Sequence, residues 1–272
     1  MRSYATVQEF QAYPNGLSLD DLVVGGTSAQ QVAELQALLQ AASSTVDQWC
    51  YQPLYAHTRT ETKHVRPQQW GTLDVRCDHF PVQSVTSAQW RQTAVGPWHT
   101  VDLALVDVLG DLGSGHKYTA ADAAYWAMYG WGQPPLTVQS TYIAGYPNMQ
   151  LVAGVLAGAV QLPVDETLGV AAGDVLRIYD GVSYEEVTVQ STTSNGVDLV
   201  SGCLYAHAAG VRVSELPDAV NTACILMASY LIKERRAGAS IMMSGSVQPL
   251  NVVNSEDMQM VRQFLQPFRR VI

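Results

Sequence analysis

The sequence predicts an α+β fold: a helical core, a β-rich layer, and a small β-barrel or sandwich module inserted ahead of the last helices. Three observations predict it. Apolar residues recur at steps of three and four over 30–49 and over 218–236, the spacing that places them on one helix face. Between 55 and 145 the pattern turns to alternating, Thr- and Val-rich runs of strand character. Near Tyr146-Pro147 the composition shifts, and closely spaced turn signals follow as far as Glu215. The expected division is 1–149 for the N-terminal helices and β layer, 150–216 for the inserted module, and 217–272 for C-terminal helices and a tail that complete the core. At roughly 150 residues per domain, 272 residues make about two domains, or one with a large insertion.

Thr6-Val7-Gln8-Glu9 has the form of a capping box. Phe10 and Tyr13 continue it into a short opening helix that Pro14-Asn15-Gly16 stops. Gly25-Gly26 breaks the chain before Thr27 or Ser28 as the next cap. Val32, Leu35, Leu38, Leu39, Ala42, Val46 and Trp49 form the apolar stripe of a helix that ends before Pro53. Residues 59–65 read as an exposed polar strand, and 73–77, 81–90, 98–105 and 136–143 as further strands. The loop 106–135 is rich in Gly and aromatics, among them Tyr118, Tyr125, Trp126, Tyr129 and Trp131. In the module, Asp180-Gly181 and Asn195-Gly196 are hairpin turn signals between runs at 175–179, 184–189, 197–200 and 211–213. Asp218 opens a helix striped by Val220, Cys224, Met227 and Leu231. Lys233-Glu234-Arg235-Arg236 closes it, cations suiting a helix C-terminus, and Gly238 is the expected stop. Ser255-Glu256-Asp257 caps a last helix through Met258, Val261, Phe264 and Leu265, which Pro267 ends.

Composition excludes several classes. With 47% hydrophobic and 14% charged residues the chain can bury a core and is not a disordered polymer. Low charge together with 13 Tyr and 6 Trp leaves uncharged, adhesive surface that suits a subunit covered by neighbours. Fifteen Lys+Arg against 24 Asp+Glu give a net charge of −9, which argues against a nucleic-acid clamp, since phosphate affinity comes from cations. It is compatible with a passage through which DNA slides without sticking. Cys50, Cys77, Cys203 and Cys224 stand far apart with no CxxC pair, so a disulfide framework is not expected. The start, MRSYATVQEF, lacks the apolar run of a signal peptide. The longest apolar stretch, 151–160, is about half of what spans a bilayer. The expectation is a soluble protein made in a reducing cytoplasm.

Catalytic and metal signals are weak. His57, His64, Cys77 and His79 share one region, but only Cys77 and His79 are close, and strand side chains explain them better than zinc. Asp107, Asp111 and Gly113 echo a calcium loop without its remaining ligands. Glu185-Glu186 is a carboxylate pair, yet neighbours on a strand face opposite sides, so an exposed edge is the simpler reading. Ser240, Ser244 and Ser246 lack a GxSxG elbow, and no Walker loop, GxGxxG or HExxH occurs. No cofactor or metal is expected. Lys233, Arg235 and Arg236, and separately Arg269 and Arg270, are small cationic groups: helix-end charge, or contacts to an acidic partner.

The order of parts resembles the head-to-tail adaptor (connector) proteins of long-tailed bacteriophages. The opening Tyr4-Ala5-Thr6-Val7-Gln8-Glu9-Phe10 is similar to that family's start, and the helix from Leu35 through Leu38-Leu39, Ala42-Ser43, Val46-Asp47 to Cys50 resembles its LLxxASxxID helix. Phe80-Pro81-Val82-Gln83-Ser84-Val85 resembles its PVxSV strand, and 216–238 its last long helix. Together these patterns cover about half the chain. The β layer and the module are additions to the compact, mainly helical members. The resemblance implies a virion structural protein without catalysis, made in the host cytoplasm and placed in the virion neck. It implies a homo-oligomeric ring, typically a dodecamer, around the channel through which genomic DNA passes. The portal protein would lie on one side and a stopper or tail-completion protein on the other, with no membrane partner. It further implies that the C-terminal segment docks on the portal, which here gives Phe264, Leu265, Phe268, Arg269, Arg270, Val271 and Ile272. Aromatic and Arg residues are the usual interface hot spots, and a ring multiplies each modest contact through avidity. Asp20, Asp21, Glu34, Lys233, Arg235 and Arg236 are the candidate ring-contact or channel charges.

Two rival readings belong to other classes. A phage structural module that binds carbohydrate or a host surface would use the aromatics of 118–131 and the β module. A hydrolase of unrecognised type has only the size of the chain in its favour.

Overall fold

A computed structural model describes residues 3–19, 22–67, 72–109, 115–119, 135–181, 183–194, 196–244 and 256–270. It shows an α+β architecture of two compact units, Met1–Gln52 with Pro147–Ile272, and Pro53–Tyr146.

The first unit opens with α1 (Val7–Ala12), capped as a full capping box by Thr6 and Glu9. Helix α2 (Ser28–Cys50) has a second box, from Thr27 and Gln30, and ends on Tyr51 in a left-handed conformation (φ 58°). Its buried stripe is Gln31, Leu35, Leu39, Ala42, Ser43, Val46 and Cys50; Val32, Leu38 and Trp49, expected in the core, lie at its margin. Helix α3 (Asp218–Ser244) packs on α2, and the Ser43 hydroxyl meets the Cys224 thiol at 3.3 Å. The expected stop at Gly238 is corrected: the helix runs on to Ser244. A glycine costs a helix interior only about 1 kcal/mol, and the following Ala-Ser-Ile-Met-Met has no other breaker. Helix α4 (Glu256–Leu265) packs on α3 and passes into a 3-10 turn, Gln266–Phe268, which Pro267 helps begin rather than simply ending the helix.

The second unit is made of strands. β1 (His57–Val65), β2 (Thr72–Arg76), β3 (Val82–Arg91), β4 (His99–Thr100), β5 (Val106–Leu109), β6 (Gly115–Thr119) and β7 (Leu136–Ala144) form two antiparallel sheets, ordered β1-β7-β3-β4 and β2-β6-β5. The expected strand over 98–105 is broken, because the Asp102 carboxylate accepts the Ala104 N–H and turns 103–105 into a 3-10 segment. Cys77 and His79 are not on a strand, since β2 ends at Arg76.

The remaining strands belong to the first unit. They are β8 (Asn148–Gln150), β9 (Gln161–Pro163), β10 (Val175–Tyr179), β11 (Tyr184–Thr193), β12 (Gly196–Leu199) and β13 (Arg212–Ser214), in the order β8-β13-β10-β11-β12-β9. The sheet curls until its edges meet. Leu151 bridges Val164, the Val152 N–H donates to Pro163 O, and the Asp165 N–H donates to Gln150 O. Its hydrophobic interior is drawn entirely from residues 149–213, among them Met149, Leu162, Leu176, Ile178, Val197 and Val213. Sequence reasoning missed β8, three residues too short to show a period.

Candidate docking surface

The C-terminal tail folds back onto the end of α2. The Arg270 N–H donates to Cys50 O (3.0 Å), and the Gln52 side-chain amide donates to Phe268 O (3.2 Å). This return brings together four side chains distant in sequence. The Arg262 guanidinium lies 5.1 Å from the Trp49 ring centroid and that of Arg269 5.3 Å. Arg269 also covers Tyr51 at 5.1 Å and donates to its hydroxyl at 3.2 Å. Cations seated over aromatic faces are held by the ring quadrupole, and each guanidinium keeps donors in its plane for a carboxylate. Among the described residues neither Arg262 nor Arg269 pairs with a carboxylate. The left-handed turn at Tyr51 swings its ring under Arg269.

The residues expected to dock divide accordingly. Arg269 is exposed, and Phe264, Phe268 and Arg270 are half-buried. Leu265 is fully buried with Val261, so it serves this chain's own core. Val271 and Ile272 lie outside the described residues. Trp49 and Tyr51 were not expected here: Trp49 reads as one more helix core position, and Tyr51 carries no signal of its own.

Among the charges expected at ring contacts, Glu34 and Arg235 form an ion pair between α2 and α3. Lys233 is exposed. Asp20 and Asp21 lie outside the described residues, as does the Arg236 side chain.

Elsewhere several polar groups are engaged structurally. His57 Nε2 and His79 Nδ1 are 2.8 Å apart. Among the described residues no group of three or more His, Cys, Asp or Glu is arranged to hold a metal ion. Burial pushes the Cys77 thiol up to about 12, with the Glu61 carboxylate adding to the effect. The expected exposed edge at Glu185-Glu186 is corrected. The two do face opposite sides, Glu186 outward, but β11 is an interior strand and Glu185 is buried. Glu185 accepts from His207 Nε2 (2.8 Å) and from the Leu204 N–H (2.6 Å), while His207 Nδ1 meets Asp180 at 3.1 Å. A cavity of about 520 Å³ lies between α1, α2 and β8. Its hydroxyls are already engaged, Ser3 with Ala5 O and Thr6 with the Glu9 N–H, and Asp165 is its one lining carboxylate. Of the aromatics expected to bind sugar, Tyr118 is on β6, and 120–131 lie outside the described residues. No helix among the described residues is long and apolar enough to cross a membrane.

No protein-family model matches the chain, and no curated protein matches it. Among solved structures it is similar to a chain from one described as the neck of an empty GTA particle computed with C6 symmetry. That match is at 13% identity, covers 100% of this chain and 95% of the other, and has a TM-score of 0.39.

Proposed function

We propose that this chain is a head-to-tail adaptor of a phage-like virion. Copies form a ring beneath the portal, extend the DNA channel, and offer a surface to the stopper or tail. The portal seats against the corner built by Trp49, Tyr51, Arg262, Phe268, Arg269 and Arg270, and no bond is broken. The observation that carries this reading is the return of the C-terminal tail to the end of α2. It assembles an Arg-aromatic cluster where the family resemblance implies docking. Tryptophan, tyrosine and arginine are the residues on which protein interfaces concentrate their affinity. The Glu34–Arg235 pair and Lys233 belong to the ring contacts in this reading. The 150–216 segment is an inserted module that folds around its own interior.

The test is portal binding by the full chain with Arg269→Ala and Phe268→Ala. Loss of a hot spot is worth about 2 kcal/mol, or roughly thirtyfold in affinity. Both variants are expected to fold and to bind portal that much more weakly. Unchanged binding by both would refute the assignment of this corner.

A further inference from the structure

We propose that the corner formed by Trp49, Tyr51, Arg262 and Arg269 receives an ionised Asp or Glu side chain presented by the portal. This rests on the docking reading above and names the chemistry by which that surface is recognised.

The corner is rich in donors and poor in acceptors. The Arg262 and Arg269 guanidiniums lie 5.1 and 5.3 Å from the centroid of one indole, that of Trp49, so two like charges are held to a single ring. The Tyr51 hydroxyl oxygen already accepts from Arg269 at 3.2 Å, which leaves its own O–H to donate. The Trp49 Nε1–H and the Arg262 Nε–H are buried, and neither finds a hydrogen-bond partner among the described residues. The carbonyls that the returning tail brings here are engaged: Cys50 O accepts the Arg270 N–H, and Phe268 O accepts the Gln52 amide. Asp47, one turn before Tyr51, accepts the Tyr4 hydroxyl. A buried donor without an acceptor is costly. An ionised carboxylate is the side-chain group that brings acceptors alone.

Charge sets this corner apart. Arg59, Lys63, Arg177, Arg212 and Arg235 each pair with a carboxylate of their own chain. Among the described residues Arg262 and Arg269 do not. In a chain of net charge −9, two such guanidiniums on one indole make a positive island, and that field favours the approach of an acidic protein surface. A planar guanidinium matches a carboxylate with two parallel hydrogen bonds. Trp49, Tyr51 and Phe268 add the aromatic surface of a protein interface around the ion pair. DNA is the poorer fit. A duplex brings a run of phosphates that many cations must neutralise, and the acidic balance of the chain repels it.

The test is the affinity of the full chain for purified portal, measured for wild type, Arg262→Gln, Arg269→Gln and Arg269→Asp, each checked for fold by circular dichroism. Both Gln variants are expected to bind roughly tenfold more weakly, and Arg269→Asp more weakly still. Arg269→Asp is then measured against a panel of portals in which each exposed Asp or Glu is replaced singly by Arg. One member is expected to bind Arg269→Asp at least about tenfold better than native portal does, while losing affinity for the wild-type chain. A reversed ion pair behaves in this way; a merely structural role of Arg269 does not. If no member recovers binding while Phe268→Ala still weakens it, the carboxylate assignment is overturned and docking at this corner stands. If neither Phe268→Ala nor the Arg variants weaken binding, both fall. Should Arg269→Asp unfold, Arg262→Asp is read against the same panel by the same criterion. Binding of a short DNA duplex that both Gln variants abolish would overturn the assignment in favour of phosphate.

Discussion

Glu9 is buried in the first unit and does two jobs. One carboxylate oxygen accepts the Thr6 N–H at 2.6 Å, and the other takes the Arg212 guanidinium at 3.0 and 2.5 Å. Arg212, itself buried, also donates to Ser214. A single residue thus caps α1 and fastens it to β13. Removing one member of a buried pair strands the other, at a cost of about 3–5 kcal/mol. Glu9→Ala should therefore lower stability by that amount in urea unfolding, far beyond the roughly 1 kcal/mol of a lost cap. The capping box was legible in the sequence; the partner 203 residues away was not, because nothing local marks which arginine a carboxylate will meet. Glu215 has the opposite problem. Burial raises its carboxyl above the usual range, with Asp174 adding to the effect, and one of its oxygens has no partner. The protonated form is favoured in the fold, so this site's contribution is present at low pH and lost as pH rises through the raised value. Glu215→Gln should melt higher than wild type at pH 7, and the advantage should shrink on acidification through the carboxylate range. An advantage that grew in acid would contradict this account.

At the scale of elements, what was legible follows from period and caps. Helices α1 and α2 were set by Thr6/Glu9, Thr27 and steps of three and four, and most strands of both units by alternation. The misses have definite causes. Asp102 turned a strand into a 3-10 segment by capping it. Gly238 did not end α3, since one glycine costs a helix interior only about 1 kcal/mol and no other breaker follows it before Ser244. The Glu185 burial was hidden because alternation tells which residues share a face, not which face is covered. Gly145 shows a constraint that sequence reading passed over. It sits at φ +93°, and a Cβ there would lie 2.3 Å from Tyr55 O, while its N–H donates to Pro81 O. Gly145→Ala is expected to destabilise the Pro53–Tyr146 unit by about 3 kcal/mol, seen as an early transition in denaturant. An unchanged profile would mean that the close approach is not maintained in solution.

For the molecule as a whole, the candidate site was half legible. The family resemblance implied docking by 264–272, and the aromatic and arginine content of that tail suits an interface. The rest of the corner, Trp49 and Tyr51, became visible only when the tail's backbone bonds to Cys50 and Gln52 were known. Leu265 moved in the other direction, from surface to core. In the proposed reading a chain of these parts is a shaped spacer whose surfaces serve other subunits. The most direct test is antibody-gold or cryo-electron microscopy of intact particles that carry an epitope-tagged chain. The account predicts label confined to the junction between head and tail. Label on the capsid shell, tail tip or fibres, or particles that lack the chain altogether, would contradict it.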